Sequence, residues 1–362
     1  MPRTYRGIAD VPRLRVQLLE WYALNRRDLP WRRTRDPYSI WVSEIMLQQT
    51  RVAVVVEKYR AFLSRFPTVG DLAAASEQDV LALWSGLGYY RRARMLHKAA
   101  QSVAEHRQGQ LPETAEELRT LPGIGSYTGA AIASIAHDEP VSVVDGNVER
   151  VLCRLAGWDK AGAKSATALR NDIETLAAHL VDPQQPGDFN QAMMELGATV
   201  CLPRNPQCLM CPLLQSCKTR GEHKTDPRPR MQSREVAHAL AIRAGKDSGS
   251  EDEVLLEQRP ASLTVMPGLW QLPVLRDVVV PPEDLRMTVR HAIMQVNYQV
   301  RIRTVREKDA LALTLPGGSR RWVPVSEAYK MALTGLARKV LNRARLLSDG
   351  PHASIASEFQ VD

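Results

Sequence analysis

The segment LPGIGSYTGAAI, residues 121–132, places two glycines, Gly123 and Gly125, directly before a run of small helix-forming residues. Glycine permits positive φ and a close approach of the backbone to another molecule. The amides of a turn that leads into a helix N-terminus attract an anion such as a DNA phosphate. A plain turn between two helices explains the same spacing equally well. The segment therefore predicts a helical hairpin and leaves open whether that hairpin binds DNA.

The composition favours an acidic partner. Lys and Arg number 48 against 40 Asp and Glu, a formal net charge of +8, which suits nucleic acid. A length of 362 residues is enough for two or three compact units. Since no stretch approaches the roughly 20 apolar residues of a membrane span, and residues 1–15 lack the apolar core of a signal peptide, we expect a cytoplasmic protein without a membrane partner.

The first part of the chain, residues 10–218, has apolar residues at three- and four-residue spacing, which predicts successive helices in segments such as 41–66 and 77–106. The basic segment 221–235 lacks this periodicity and is interpreted as a linker.

The last part of the chain has a different periodicity. A two-residue alternation predicts strands over 237–243, 253–259, 295–305 and 320–326. One amphipathic helix is expected over 328–345, and residues 347–362 are expected to form a flexible tail. The pattern therefore predicts an α+β region after a helical one.

Two carboxyl groups are candidates for acid–base chemistry. Glu44 lies among apolar neighbours in IWVSEIMLQQT, residues 40–50, and desolvation there would raise its pKa toward neutrality. Asp145 follows an apolar run and precedes a glycine in VVDGNVERV, residues 143–151. A solvated helix face for Glu44 is an equally good alternative, and from the residues alone an N-cap role is favoured for Asp145.

Four of the five cysteines are crowded into 17 residues with the spacing C-x6-C-x2-C-x5-C; they are Cys201, Cys208, Cys211 and Cys217. Disulfides are not expected in a cytoplasmic protein, and four soft thiolates suit zinc or an iron–sulfur cluster. The spacing indicates a metal centre without choosing the metal.

Two short stretches could contact DNA through side chains. One holds Gln48 and Gln49, and the other holds Tyr89 and Tyr90 ahead of three arginines within residues 91–94. Aromatic rings stack on bases, and arginines contact phosphates. A solvated basic helix is the simpler alternative.

Taken in this order, the motifs resemble those of the helix–hairpin–helix base-excision glycosylases and, within them, the adenine DNA glycosylases of the MutY type. The resemblance covers about the first 220 residues and rests on LPWR (29–32), WVSEIMLQQTRV (41–52), GLGYYRRAR (86–94), LPGIGSYTGAAI (121–132), VDGNVERV (144–151), FNQAMMELGATVC (189–201) and the four cysteines. It implies a multidomain fold, in which an all-α helix–hairpin–helix glycosylase region over 1–220 is followed by an α+β Nudix-like domain over 236–346.

The resemblance also implies an activity. It is the hydrolytic removal of adenine opposite 8-oxoguanine or guanine in duplex DNA, after the adenine has left the helix. By resemblance, Glu44 protonates adenine at N7 and helps to activate water, and Asp145 stabilises the cationic sugar or captures it covalently. Tyr127 and Asn147 orient the site. Bifunctional relatives that resemble endonuclease III carry a lysine at the position of Tyr127, and a phenol cannot form their Schiff base. We therefore expect little or no strand-cleaving lyase activity.

The resemblance assigns further contacts. Leu47, Gln49 and Tyr89 match positions that fill the opened duplex, whereas Trp31, Arg32 and Glu195 match the pocket for the flipped base. Gly123 and Gly125 match the hairpin that grips the DNA backbone. The loop 198–218 with its four cysteines matches a [4Fe-4S] site. The implied partner is double-stranded DNA bound by a monomer, associated with the nucleoid if the protein is bacterial.

The C-terminal region resembles the domain that senses 8-oxoguanine, and it lacks the Glu-rich signature of Nudix hydrolases. The family usually carries Phe-Ser-His where this chain has Ile293, Met294 and Gln295. Loss of the hydroxyl and the imidazole predicts a weaker or different selectivity for the oxidised base. An endonuclease III-like glycosylase and lyase for damaged pyrimidines, and a non-catalytic iron–sulfur DNA-binding protein, are the alternatives.

Overall fold

The computed structural model describes residues 8, 10–158, 165–223, 230–245 and 251–347. The chain divides into two compact units: the first unit contains Met1–Ala74 and Met95–Asp226, and the second unit contains Ala75–Arg94 and Pro227–Asp362. Residues 224–229 of the predicted linker and residues 348–362 of the predicted tail lie outside the described residues. In the part of the chain that is described, no helix has the length and apolar character needed to cross a membrane.

The first unit is helical, as predicted. Its helices are α1 (Val11–Asn25), α2 (Pro37–Leu47), α3 (Val52–Arg65), α4 (Val69–Ala74), the part of α6 (Arg91–Arg107) from Met95 onward, α7 (Ala115–Leu118), α8 (Ser126–His137), α9 (Gly146–Ala156), α10 (Ala166–Leu180) and α11 (Pro186–Thr199). Helix α5 (Glu77–Trp84) belongs to the second unit.

Two packed regions support the first unit. In helix α2 every side chain from Ile40 to Met46 is buried, which is typical of a helix that lies inside a core. A second cluster joins α1, α9, α10 and α11 through residues such as Leu18, Leu152 and Leu176. A carboxyl group carried by α2 is therefore shielded from water by its own helix and by its neighbours.

The hairpin before α8 depends on its two glycines for different reasons. Gly123 has φ of 79°, and a Cβ atom there would lie 2.5 Å from the Cβ of Met95. Gly125 has φ of −92°, and nothing lies within 4 Å of the position that its Cβ would occupy. Gly123 therefore uses the positive φ that glycine permits, whereas Gly125 is extended and its missing side chain leaves open space in front of the helix.

The second unit contains a sheet with strands β1 (Gln232–Arg243), β2 (Glu253–Gln258), β3 (Trp270–Gln271), β4 (Leu285–Ile293), β5 (Val296–Val305) and β6 (Arg320–Pro324). The strand order is β3-β2-β1-β5-β4, with β6 paired to β2. Strands β1 and β5 are parallel, and the other pairs are antiparallel. The second unit also contains α12 (Ala310–Leu313), α13 (Val325–Ala328) and α14 (Gly335–Arg343).

Both faces of this sheet are covered, since alternate residues of β1 join different apolar clusters. Ala239 and Ala241 pack with Leu275 on one face, and Leu240 packs with Val340 on the other. The predicted order, a helical region followed by a region with a sheet, is confirmed.

Three predicted boundaries were wrong. Strand β1 begins inside the predicted linker, because Gln232 pairs with Val296 of β5. The helix predicted over 328–345 is interrupted, because the Thr334 side chain caps a new helix at Gly335. Residues 75–94 belong to the second unit, although we predicted that the helical region extends unbroken over 1–220.

The helix predicted over 77–106 is also interrupted. Between α5 and α6 the chain makes a turn in which Gly86, Gly88 and Tyr89 have φ of 101°, 70° and 47°. A helix cannot continue through residues in the left-handed region. The turn presents Tyr89 to solvent, with 51% of its surface exposed.

Candidate active site

A cavity of about 600 Å³ opens in the first unit, between α2, α8, α9 and α11. This volume is in the range of pockets that hold small organic groups. Nine of the predicted catalytic and substrate-binding residues line it: Trp31, Arg32, Glu44, Leu47, Gln49, Tyr127, Asp145, Asn147 and Glu195. The structure therefore brings together residues that are up to 164 positions apart in the chain.

Glu44 lies on the buried side of this cavity, with only 5% of its surface exposed. Burial and, less strongly, the negative charge of Asp145 raise the pKa of its carboxyl group, whereas a hydrogen bond from Tyr127 and the charge of Arg32 lower it, and the net result is a pKa of about 7. The desolvation predicted from the apolar neighbours is thus present in the structure. Near neutral pH both the acid and the carboxylate form of Glu44 are populated.

Tyr127 stands in the first turn of α8, one residue after the hairpin. Its hydroxyl group donates a hydrogen bond of 2.8 Å to Oε2 of Glu44 and lies 3.4 Å from the sulfur of Met194. Burial raises the pKa of Tyr127 well above its usual value, and the charges of Glu44 and Asp145 act in the same direction. The phenol therefore stays protonated and serves as a donor to Glu44.

Asp145 is both an N-cap and a cavity residue. Its Oδ1 accepts hydrogen bonds of 2.8 and 2.7 Å from the backbone amides of Asn147 and Val148, at the start of α9. Its Oδ2 accepts one of 2.9 Å from the side chain of Asn147. Three N–H donors and the positive end of a helix stabilise a carboxylate. The two interpretations of Asp145 are therefore compatible.

The opposite wall of the cavity holds a second buried glutamate, Glu195, on α11. Arg27 donates to it through its backbone amide, Nε and Nη2 at 3.1, 2.8 and 2.7 Å. Arg32 donates through Nη2 at 2.8 Å. Burial alone would raise the pKa of Glu195, but the hydrogen bonds from Arg27 and Arg32 outweigh it and lower the pKa to about 2. Glu195 is an ionised anchor for two arginines.

The sequence analysis did not identify Arg27 as a site residue. Its only signal was its place in the basic segment NRRDLPWRR, residues 25–33, where several arginines look equivalent. The pairing with Glu195 spans 168 residues, so no local spacing indicates it.

The residues predicted to contact the opened duplex lie in different places. Leu47 and Gln49 are at the cavity, and Gln49 has φ of 56°. Tyr89 is in the second unit. Ile293 is the last residue of β4, and Met294 and Gln295 form the turn to β5. Met294 has φ of 54° and is 73% exposed.

The four cysteines follow α11 in the first unit. Burial and the three neighbouring thiols together raise the pKa of the Cys211 thiol to about 11, against a hydrogen bond from the backbone of Leu213 that lowers it. Arg154 Nη1 lies 3.3 Å from Sγ of Cys201. Within the described residues, no group of three or more His, Cys, Asp or Glu side chains is arranged to hold one metal ion. The donor chemistry suits an iron–sulfur cluster, and the ligand set stays a prediction.

Comparison with known proteins identifies DNA repair glycosylases as relatives of this chain. The family described as HhH-GPD superfamily base excision DNA repair protein matches residues 42–178. The adenine DNA glycosylase of Homo sapiens is 50% identical over 226 residues, which cover 60% of this chain and 41% of that protein. The adenine DNA glycosylase of Mycolicibacterium smegmatis is 45% identical over 207 residues, which cover 57% of this chain and 69% of that protein.

Among solved structures, a thermostable thymine-DNA glycosylase has a TM-score of 0.54 and is 29% identical, with 58% of this chain and 96% of that chain covered. This chain belongs to the HhH-GPD superfamily of base excision DNA repair proteins. Within that superfamily its relatives are the adenine DNA glycosylases of the MutY type. It spans about half the length of several curated relatives that it matches.

Proposed function

We propose that this protein is a monofunctional adenine DNA glycosylase, which hydrolyses the N-glycosidic bond of adenine in duplex DNA. The proposal rests on one observation: Glu44 and Asp145 line the same cavity, but Glu44 is buried beside a phenol whereas Asp145 accepts three N–H hydrogen bonds at a helix start. Adenine is a poor leaving group as an anion, and the sugar that remains is cationic. Two carboxyl groups, one held as an acid and one as an anion, meet these two demands.

Glu44 acts as the general acid. Its pKa of about 7 leaves a substantial acid fraction at neutral pH, and in that form it donates a proton to N7 of the departing adenine. As the bond between the base nitrogen and C1′ breaks, positive charge develops on the sugar. Asp145 stabilises this charge, and the carboxylate of Glu44 then accepts a proton from the water that adds to C1′. Asn147 and Tyr127 orient the two carboxyl groups through hydrogen bonds.

The base enters the same cavity after it leaves the duplex, at a cost of a few kcal/mol. Trp31 and the ionised group of Glu195, Arg27 and Arg32 line the wall where the extruded base would stack and form hydrogen bonds. Because Tyr127 has no amine, the reaction ends with the free base and an abasic site. No lyase step follows.

The backbone of the DNA binds at the hairpin. Gly123 and Gly125 are exposed, and among the described residues no side chain caps α8 at Gly125. The first amides of a helix have no partner within the helix and suit a phosphate oxygen. The formal net charge of +8 supports a DNA partner.

The mispaired base opposite adenine is 8-oxoguanine or guanine, and the second unit acts as a Nudix-like recognition domain. Support comes from the exposed turn Ile293, Met294 and Gln295, which offers apolar surface and an amide. We place the protein in the cytoplasm as a monomer.

A [4Fe-4S] cluster bound by Cys201, Cys208, Cys211 and Cys217 would cross-link the loop after α11 when present. Four thiolates suit zinc as well as an iron–sulfur cluster, and the resemblance to the MutY-type enzymes favours the cluster.

The proposal is tested with a duplex oligonucleotide that has one adenine opposite 8-oxoguanine. Treatment with the purified protein and then with alkali is expected to break the strand at the adenine, and borohydride is expected to trap no covalent adduct. Matched duplexes with A:G and A:T pairs measure selectivity. Glu44→Gln and Asp145→Asn serve as inactive controls. An intact strand after alkali would refute the proposal, and a borohydride adduct would favour a lyase.

A further inference from the structure

The turn between α5 and α6, residues 85–90, is held to another part of the same unit at one backbone oxygen. Tyr90 Oη donates a hydrogen bond of 3.0 Å to the carbonyl oxygen of Leu333, and Ser85 Oγ donates one of 3.2 Å to the same atom. Ser85 and Tyr90 are buried, with exposures of 0% and 4%. The two ends of the turn are therefore held to one point, just before helix α14.

Arg338, in the second turn of α14, completes this attachment. Its Nε donates a hydrogen bond of 2.9 Å to Ser85 Oγ, and its Nη2 donates one of 3.3 Å to the carbonyl of Tyr329. The guanidinium is partly desolvated, and burial lowers its pKa. A charged donor in such a place holds its acceptor more firmly than a neutral donor does.

Inside the turn Gly86 and Gly88 have positive φ, which glycine adopts readily, whereas the positive φ of Tyr89 is uncommon for a residue with a side chain. The Trp84 indole donates to the carbonyl of Gly88 at 3.1 Å, and Arg92 lies 5.6 Å from the centre of the Tyr89 ring. A strained segment keeps such a conformation only when its surroundings fix it. The result is an exposed aromatic ring on a rigid support.

The same helix also supports the β4–β5 hairpin. Lys339 Nζ donates a hydrogen bond of 2.9 Å to the carbonyl of Arg290 on β4. A Cβ at Gly335 would lie 3.6 Å from the ring of His291. Met294, three residues beyond His291, is at the exposed end of this hairpin. The adjacent residues Arg338 and Lys339 of α14 thus contact the turn that carries Tyr89 and the strand that leads to Met294.

We infer that Arg338 is a positioning residue that, with Tyr90 and Ser85, fixes the Tyr89 turn so that its ring can enter the DNA base stack while the adenine leaves. The inference rests on the proposed function. Base–aromatic stacking supplies about 1–3 kcal/mol per base, and a ring on a loose turn must first be ordered before it delivers that energy. Arg338 therefore acts on base extrusion and not on bond cleavage.

The test uses the full chain with Arg338→Met, which removes both hydrogen bonds, and Tyr90→Phe, which removes only the hydroxyl. Arg343→Met is the matched control, because Arg343 is an exposed arginine at the end of the same helix. Stopped-flow fluorescence follows the unstacking of 2-aminopurine placed opposite 8-oxoguanine. Single-turnover excision is measured for adenine opposite 8-oxoguanine and for adenine opposite an abasic analogue, where no base pair has to open.

We expect Arg338→Met to slow both unstacking and excision of the paired base roughly tenfold, the size of one good hydrogen bond. Tyr90→Phe should show a smaller effect in the same direction. Excision opposite the abasic analogue should stay within about twofold of the wild type, as should every rate of Arg343→Met.

Equal losses on both substrates, or no loss on either, would overturn the inference. A wild type that unstacks 2-aminopurine but never excises adenine would instead contradict the proposed function. The fluorescence comparison between Arg338→Met and Arg343→Met would still decide the role of Arg338.

Discussion

The cavity has two walls, and each holds a buried glutamate in a different state. Glu44 and Glu195 are 5% and 1% exposed, yet the pKa of Glu44 is about 7 and that of Glu195 is about 2. Glu44 accepts one hydrogen bond from a neutral phenol, whereas Glu195 accepts four from two arginines. Burial raises the pKa of both groups, and only at Glu195 are the donors numerous and charged enough to reverse that rise.

The comparison also separates two tasks. A glutamate that can hold a proton at neutral pH is useful as an acid, and a glutamate that cannot is useful as a fixed anion. Substitutions at the two glutamates should therefore have different effects on excision and on stability.

Removing the acid from the Glu44 wall should have the largest effect on activity. Glu44→Gln keeps the size of the side chain but has no proton to donate, and general acids contribute about 10²- to 10⁴-fold to rates. We expect single-turnover excision of adenine to fall by about a thousandfold or more, with DNA binding retained. A Glu44→Gln protein within tenfold of the wild-type rate would show that the acid lies elsewhere.

The same substitution should change stability in a pH-dependent way. The folded-state pKa of Glu44, about 7, is above its unfolded value near 4.5, so the folded state binds the extra proton between these values. The contribution of Glu44 to the free energy of unfolding is therefore fully present below pH 4.5 and is lost as the pH rises through 7. Glu44→Gln should be more stable than the wild type at pH 8 by about 2–3 kcal/mol and nearly equal at pH 5, as measured by urea unfolding.

Removing the carboxylate of Glu195 should instead lower the free energy of unfolding at neutral pH. Glu195→Gln leaves the guanidinium of Arg32, which is 10% exposed, without its anion. Because the side chain of Arg27 is 40% exposed and water can solvate it, we expect a loss of about 2–3 kcal/mol, less than for a fully buried pair. Urea unfolding at pH 7 measures this loss.

The pH dependence gives a control for that result. The folded-state pKa of Glu195 is below the unfolded value, so its stabilisation is present above pH 4.5 and is lost as pH falls toward 2. The difference between Glu195→Gln and the wild type should therefore shrink in acid. A difference that grows in acid would contradict the assignment.

The smallest effect is expected for the phenol that connects the hairpin to Glu44. Its hydrogen bond lowers the pKa of Glu44, so Tyr127→Phe should raise the pH at which excision loses half its rate. The rate itself should fall about tenfold or less, as expected for one hydrogen bond. A pH–rate profile compares the variant with the wild type, and a downward shift of the midpoint would contradict the geometry.

Local patterns were enough for some of these features and not for others. The apolar neighbours Trp41, Val42 and Ile45 predicted a desolvated Glu44 as one of two equal alternatives, and the structure buries it. The pair of glycines predicted a hairpin, and Gly123 uses the positive φ that glycine permits there. These are properties of adjacent residues, which is why the sequence predicts them.

The missed features depend on contacts between distant residues. The bond between Arg27 and Glu195 and the attachment of Ser85 to Leu333 join positions 168 and 248 apart. Periodicity indicates which face of a helix is buried, but not which unit buries it. For that reason the second unit includes residues 75–94, and no local pattern shows it.

The pH dependence of adenine excision by the wild type tests most directly whether Glu44 is the general acid. The apparent second-order rate constant at low DNA concentration reports the pKa of the free protein's acid. We expect this rate constant to fall tenfold per pH unit above a midpoint near 7. The residual rate of Glu44→Gln should not show this fall. A rate that stays constant up to pH 9, or a midpoint near the ordinary glutamate value of about 4.3, would contradict this role of Glu44.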